Sequence, residues 1–255
     1  MVRVAIRFYA EINDFLPSAR RNCAFEHTVE GTPSMKDVIE ALGPPHTEVG
    51  AIVVNGAPVP FTYLAHEGDE IAVYAVSAAA GVVAPDQRVD PPIPSDPRFV
   101  LDVHLGRLAA YLRMLGFDTR YENFCDDDVL AHISAEEARI LLTRDVGLLK
   151  RGVVTLGYFV RATQPEAQIA EVIHRYDLLG KIEPFVRCMR CNGLLAPASK
   201  DDVADQLPAN VRDDYDEYRR CQSCGQVYWR GTHFQRMQGL IARLTQPEPP
   251  AGVGL

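Results

Sequence analysis

Several features are scarce or missing in this chain of 255 residues. No apolar run approaches the ~20 residues a membrane helix needs. The opening stretch, MVRVAIRFYA, alternates and carries two arginines where a secretory segment would carry a continuous apolar run. The expected location is the cytoplasm, with no membrane partner. Basic residues are in deficit: 26 Lys and Arg face 34 Asp and Glu, a formal net charge of −8. A protein that grips long duplex DNA usually carries a basic face. Any nucleic acid here must therefore be met by local basic patches and by cations bound among the acids. No repeat recurs at a fixed period, which argues against solenoids and propellers.

What is present supports folded domains. The 47% hydrophobic content suits a packed core, and the length suits two domains. Residues 3–8 alternate, with Val4, Ile6 and Phe8 on one face, as in a half-buried strand. A second strand is expected over Cys23–His27, with Cys23 as a small buried hydrophobe. Met35, Val38, Ile39 and Leu42 repeat at helical spacing, and Gly43 ends the pattern. Ser34 and Asp37 approximate a capping box, although Glu or Gln is the usual partner. AIVVNG, with the turn Asn55–Gly56, and a last strand from Ile71 to Val76 complete an order β-β-α-β-β. From Ser77 the composition shifts. Pro85, Pro91, Pro92, Pro94 and Pro97 read as a semi-stiff linker.

Beyond the linker the pattern changes to alternating strands and helices. Phe99–Leu101 is a short apolar strand that ends in Asp102. Leu105, Leu108, Leu112 and Leu115 then form one stripe of a helix stopped by Gly116. Asp126, Asp127 and Asp128 precede an apolar pair. Taken alone they read as N-capping acids. Ile140–Thr143 is a second apolar strand ending in Arg144–Asp145. A further strand is expected over Val153–Leu156, and a helix opens at Gln164–Pro165. This alternation predicts a mainly parallel α/β sheet with flanking helices. In such a sheet chemistry gathers at the carboxyl ends of strands, where Asp102 and Asp145 both stand. Carboxylates converging there repel one another unless a divalent cation lies between them, and hard oxygen donors suit Mg²⁺ or Mn²⁺.

Four of the six cysteines form the pairs Cys188/Cys191 and Cys221/Cys224. Two CxxC turns aim four thiolates at one point, the pattern of a closed structural Zn²⁺ site. The acidic segment between them, Asp201 to Glu217, reads as a solvated excursion. The stretch after the second pair, Tyr228-Trp229-Arg230-Gly231-Thr232-His233-Phe234, interleaves aromatic and basic residues. It could stack bases and hold phosphates, or its aromatics could pack the ribbon.

Taken together, FVLDVHLGRLAAYLRMLGFDTRY, ILLTRD, the two CxxC pairs and VYWRGTH resemble the Mut-seven C-terminal ribonuclease family. That family joins a PIN-like nuclease fold to a zinc ribbon. The front segment, with VVNG and EGDEIAVYAV, resembles the β-grasp, ubiquitin-like sulfur carriers, and such a front domain is known from family members. The carriers act through a free terminal Gly-Gly. Here Ser77-Ala78-Ala79-Ala80-Gly81 stands in its place and the chain runs on, so carrier chemistry is not expected.

The resemblance implies a β-grasp domain over 1–78, a linker over 79–97, a PIN-like nuclease over 98–183, a zinc ribbon over 184–244 and a disordered tail over 245–255. It implies a metal-dependent ribonuclease with structural Zn and catalytic Mg or Mn, acting on RNA, with structured RNA such as tRNA a candidate. Asp102, Asp126 and Asp145 carry over as metal-binding catalytic acids, with Asp127 the alternative to Asp126. Arg144 carries over as a phosphate contact, with Arg107, His104 and His233 as weaker substrate contacts. The front domain would dock substrate or a protein partner. The competing class is an RNA-binding or adaptor protein whose acids are structural remnants. Against it, acids crowded where phosphate must approach repel it unless a metal is bound.

Overall fold

A computed structural model describes residues 1–207, 215 and 217–245. The expected tail, apart from Thr245, and Asp213, Asp214 and Asp216 of the acidic excursion lie outside the described residues. The chain forms two compact units. One contains Met1–His104 and Glu122–Val160; the other contains Leu105–Tyr121 and the described residues from Arg161 onward. No helix among the described residues is long and apolar enough to cross a membrane.

The first unit opens with a five-stranded sheet. Its strands are β1 (Val2–Tyr9), β2 (Phe25–Val29), β3 (Val49–Val54), β4 (Ala57–Pro58) and β5 (Glu70–Ala75). Their order is β2-β1-β5-β3-β4, with β1 and β5 parallel and the other pairs antiparallel. Helix α1 (Met35–Leu42) lays Met35, Val38, Ile39 and Leu42 into the core against Val4, Ile6 and Phe8. Ser34 and Asp37 do form a capping box: the Ser34 side chain accepts from the Asp37 N–H while the Asp37 carboxylate accepts from the Ser34 N–H. This is a β-grasp arrangement.

Two local expectations shift. The second strand begins at Phe25, because Asn22 sits at φ +58° and its N–H donates to Asn13 Oδ1 at 2.7 Å. That turn leaves Cys23 exposed rather than buried. The proline-rich stretch is anchored over its first half. The short helix α2 (Val76–Ala79) packs on Gly50, where an added Cβ would lie 2.6 Å from the Val76 Cα. Ala79 is buried, and Val89 N–H donates to Gly50 O at 3.0 Å. The segment after β5 is thus folded down onto the sheet.

The same unit continues with β6 (Phe99–Leu101), α4 (Asp127–Glu136), β8 (Ile140–Thr143), α5 (Val146–Leu149) and β9 (Gly157–Phe159). Strands β6, β8 and β9 are parallel neighbours. Every residue of β6 and β8 is buried, as continuous apolar runs in a covered parallel sheet should be. The third strand lies later than Val153–Leu156. The Val154 N–H closes a turn onto Arg151 O at 3.0 Å, and the ladder starts only where Leu141 N–H meets Leu156 O.

The second unit holds α3 (Gly106–Met114), the two-residue β7 (Thr119–Arg120) and α6 (Pro165–Arg175). It also holds β10 (Leu195–Ala198), α7 (Lys200–Val203), β11 (Tyr218–Cys221), β12 (Val227–Trp229) and α8 (Thr232–Thr245). Helix α3 packs on α6, and Leu108 and Leu112 of the one and Ile169, Val172 and Ile173 of the other are buried. Strands β10, β11 and β12 form an antiparallel sheet of their own around the cysteines. Together these elements make a mixed α/β protein: a β-grasp sheet, a parallel sheet with helices, and a cysteine cluster consistent with a zinc ribbon.

Candidate active site and metal centre

Asp102 follows β6 directly. Its N–H donates to Leu142 O at 3.1 Å, so the parallel ladder runs one residue past the strand and sets Asp102 beside the end of β8. There the Thr143 hydroxyl donates to Asp102 Oδ2 at 2.8 Å. Asp102 is 5% exposed and Thr143 fully buried. The Thr143 oxygen in turn accepts from the Asp145 N–H at 2.9 Å. Asp145 then caps α5, its Oδ1 accepting from the N–H groups of Gly147 (2.6 Å) and Leu148 (3.3 Å). One threonine therefore ties together the ends of two adjacent strands and both acids. Thr143 is missed by motif reading, because a Thr ending an apolar run looks like strand propensity alone.

Asp126 occupies the N-cap of α4, and its side chain makes no capping bond and stays exposed. Asp127 and Asp128 both meet Arg151, Asp127 at 3.9 Å. Asp126 is thus the member of the trio left uncommitted. Arg144 is exposed at the end of β8; its Nη1 donates to Val160 O at 2.8 Å and its guanidinium lies 5.9 Å from the Phe159 ring centroid. His104 and Arg107 are exposed, on either side of Leu105 at the start of α3. His233 falls in α8, with its side chain outside the described residues.

The front domain braces this edge. The buried Glu48 carboxylate accepts from the Phe159 N–H at 2.7 Å. The His46 ring lies between the Glu40 carboxylate (2.7 Å) and Val154 O (2.8 Å). Lys150 Nζ donates to Glu40 O at 2.6 Å, and Phe15 meets the Phe159 ring edge-on at 5.3 Å. Residues about 110 positions apart make these bonds, and no local pattern announces them.

The four cysteines are, among the described residues, the one set of potential ligands that meets closely enough to hold an ion, with all four sulfurs within 4.8 Å of one another. Cys188 and Cys224 sulfurs lie 3.7 Å apart, and those of Cys191 and Cys221 3.4 Å apart. A tetrahedral Zn²⁺ with Zn–S near ~2.3 Å needs sulfurs about 3.8 Å apart, so the cage is the right size. The thiols are crowded. Cys191 is pushed up to about 12 by desolvation of a sulfur that points into the cluster, although the residue itself is exposed, and by the neighbouring thiols. Burial also pushes Cys221 up, but the N–H groups of Cys224 and Ser223 outweigh it and hold the thiol down to about 7. A dication removes this conflict by stabilising all four thiolates. Tyr228 donates into the same cage at Cys188 Sγ (3.1 Å) or accepts from it, and burial raises its phenol well above the usual range.

The first knuckle is stapled to the α3–β7 segment. Arg113, 4% exposed, donates to Thr119 O (2.9 Å), Met189 O (3.2 Å) and Arg190 O (3.0 Å). Burial pulls its guanidinium below the ordinary value, while the nearby Cys188 and Cys191 pull it back up. Asn192 accepts from the Thr119 N–H at 3.0 Å and donates to Asp118 at 2.9 Å. Arg113 lies off the leucine stripe of α3, and its buried role is visible only in three dimensions.

Residues 97–241 match the Mut7-C RNAse domain. The chain belongs to the Mut7-C ribonuclease-domain family. Residues 1–80 of this Mut7-C chain match the Mut7-C ubiquitin domain. No curated protein sequence matches it. Among solved structures the Mut7-C chain is similar to the "Putative molybdopterin converting factor, subunit 1 from Pyrococcus furiosus". The identity is 19%, over 29% of this chain and 98% of that one, with a TM-score of 0.23.

Proposed function

We propose that this Mut7-C chain is a divalent-metal-dependent ribonuclease with a PIN-like site that hydrolyses RNA phosphodiester bonds at Asp102, Asp126 and Asp145, with structured RNA such as tRNA as a candidate substrate. The observation that carries this reading is the coupling of Asp102 and Asp145 through Thr143 at the carboxyl ends of two parallel strands. Carboxylate oxygens are the donors Mg²⁺ or Mn²⁺ prefers, and such a cation supplies activation of water and neutralisation of phosphate charge. Asp102 offers a carboxylate withdrawn from solvent, with Oδ2 held by Thr143. Asp145 offers the oxygen opposite the one that caps α5. Asp126 is favoured over Asp127 because Arg151 engages the latter. Arg144, which donates to Val160 O and lies beside the Phe159 ring, would take a phosphate oxygen. Water's oxygen would form the new bond to phosphorus while the bond to one ribose oxygen breaks. The four cysteines would hold structural Zn²⁺, and the front domain would dock substrate or a protein partner.

The test is cleavage of end-labelled tRNA and unstructured RNA by wild type and Asp145→Asn, each with Mn²⁺, Mg²⁺ or EDTA. Cleavage by wild type alone, lost in EDTA, is expected. Equal cleavage by both proteins would remove the assignment. A second reading, a non-catalytic RNA-binding or adaptor protein, has one observation on its side: among the described residues the three acids do not close into an ion-sized cluster as the cysteines do. RNA binding without cleavage under every metal condition would favour it.

A further inference from the structure

The ribbon carries a groove lined by none of the proposed acids and by none of the four cysteines. It encloses about 840 Å³, within the roughly 300–1,000 Å³ range of ligand-binding clefts. Pro197, Arg219 and Tyr228 stand in register across β10, β11 and β12 and form its floor. One wall is an aromatic pair, Phe185 and Phe234, with ring centroids 4.4 Å apart. Arg230 lies 5.7 Å from the Phe234 ring centroid.

We propose that this groove binds an unpaired stretch of RNA, with bases against the Phe185–Phe234 pair and phosphates at Arg219 and Arg230. The proposal deepens the ribonuclease reading by naming single-stranded RNA as what the ribbon recognises. Three observations converge. First, the charge is complementary: among the described residues Arg219, Arg230 and Arg187 (the last also 3.6 Å from Asp118) line the groove against the single acid Glu217, in a chain whose net charge is −8. Second, the acid is already neutralised at the surface. Glu217 pairs with Arg230 at 3.0 Å, and both side chains are more than 60% exposed. An incoming phosphate can take that place at little cost, because exposed pairs contribute little.

Third, the aromatic wall is held under strain. Phe185 sits at φ +62°, a region that bulky residues rarely adopt. Its backbone is pinned by its N–H to Met114 O at 2.9 Å and by Arg219 Nη1 to its carbonyl at 3.4 Å. Aromatic faces beside arginines are how proteins hold single strands without reading sequence. A duplex hides its base faces and gains nothing from this wall. Trp229 lines the groove as well, half-buried, while packing against Val203, Leu207, Tyr218 and Val227. All three residues of Tyr228-Trp229-Arg230 therefore reach the groove.

The experiment measures binding of a fluorescent, unstructured 12-nucleotide RNA and of the matching duplex to the full chain. Mg²⁺ and Mn²⁺ are left out, and so is chelator, so that zinc stays in place. Phe234→Ala and Arg219→Glu should each weaken single-strand binding about tenfold, the scale of one lost stack or phosphate contact. Arg219→Glu should also flatten the salt dependence by about one unit of slope. Arg220→Glu makes the same charge change at a residue that does not line the groove, and it should bind as wild type does. Thermal melting and zinc content identify any variant that has merely unfolded. Equal loss in Arg220→Glu, tighter binding of the duplex, or no RNA binding by wild type would overturn the proposal. So would a concentration-dependent dimer that Arg219→Glu abolishes. Because no cleavage is read, the groove and the metal-dependent chemistry can fail independently.

Discussion

The Thr143 hydroxyl donates to Asp102 at 2.8 Å and accepts from the Asp145 N–H at 2.9 Å, so one side chain couples two acids that lie 43 positions apart in sequence. Thr143→Val keeps the branched shape and the packing but removes the hydroxyl. The buried Asp102 then loses its donor and Asp145 N–H its acceptor. The expected cost is about 1–3 kcal/mol of stability, read by urea unfolding. RNA cleavage should fall with it, since the carboxylate is no longer oriented.

Asp145 serves the fold and the proposed chemistry through different properties. Its oxygen caps α5, a role asparagine performs equally well. Asp145→Asn should therefore melt within a few tenths of a kcal/mol of wild type while abolishing cleavage. Asp145→Ala should lose activity and about 1 kcal/mol of stability besides. Comparing the two melts separates cap from ligand.

One zinc per chain is expected by metal analysis, with release of protons on binding. Burial pushes Cys191 up to about 12, while against burial the N–H groups of Cys224 and Ser223 hold Cys221 down to about 7, so a dication must displace protons from the cluster. Zinc affinity should fall as pH drops, because protons compete for the same sulfurs. Cys188→Ser should lose the metal and lower the melting temperature of the ribbon. A mutant free of zinc that melts like wild type would refute the structural role.

Glu48 is 2% exposed and holds the Phe159 N–H from the β-grasp side. Glu48→Ala leaves that N–H without the carboxylate, at an expected cost of about 1–3 kcal/mol. Hydrogen exchange should accelerate at residues 157–160 and leave β10–β12 unchanged. Uniform acceleration would mean that Glu48 supports global stability rather than this edge.

Gly116 ends α3 at φ +101°, and a Cβ there would lie 2.3 Å from Glu183 O. Gly116→Ala meets both the backbone penalty and the clash, so a loss of about 1–3 kcal/mol or more is expected. Denaturant unfolding checks it. Gly68, also at positive φ but with open space around it, is the control, and its alanine variant should lose only the backbone part.

Much of this protein follows from local pattern. Alternation in residues 3–8, the helical spacing of Met35 to Leu42 and the leucine stripe of α3 all depend on contacts within a few residues, and each forms where the spacing predicts. The two CxxC pairs carry their chemistry in four letters each, so the cage was legible before the fold. Asp102 and Asp145 were legible as strand-end acids because chain order and polarity alone place both at one edge of a parallel sheet.

What the tertiary structure decided are the relationships that no window of sequence contains. Thr143 became a bridge because the ladder continues one residue past β6. Arg113 became the brace of a knuckle 76 residues away because burial left its guanidinium only backbone carbonyls to satisfy it. Cys23 was turned outward by a left-handed residue before it. Glu48 was matched to Phe159, and Phe185 to Phe234, by packing between distant elements. Local spacing sets which elements form; which side chains they then bring together depends on desolvation and hydrogen-bond satisfaction summed over the whole fold.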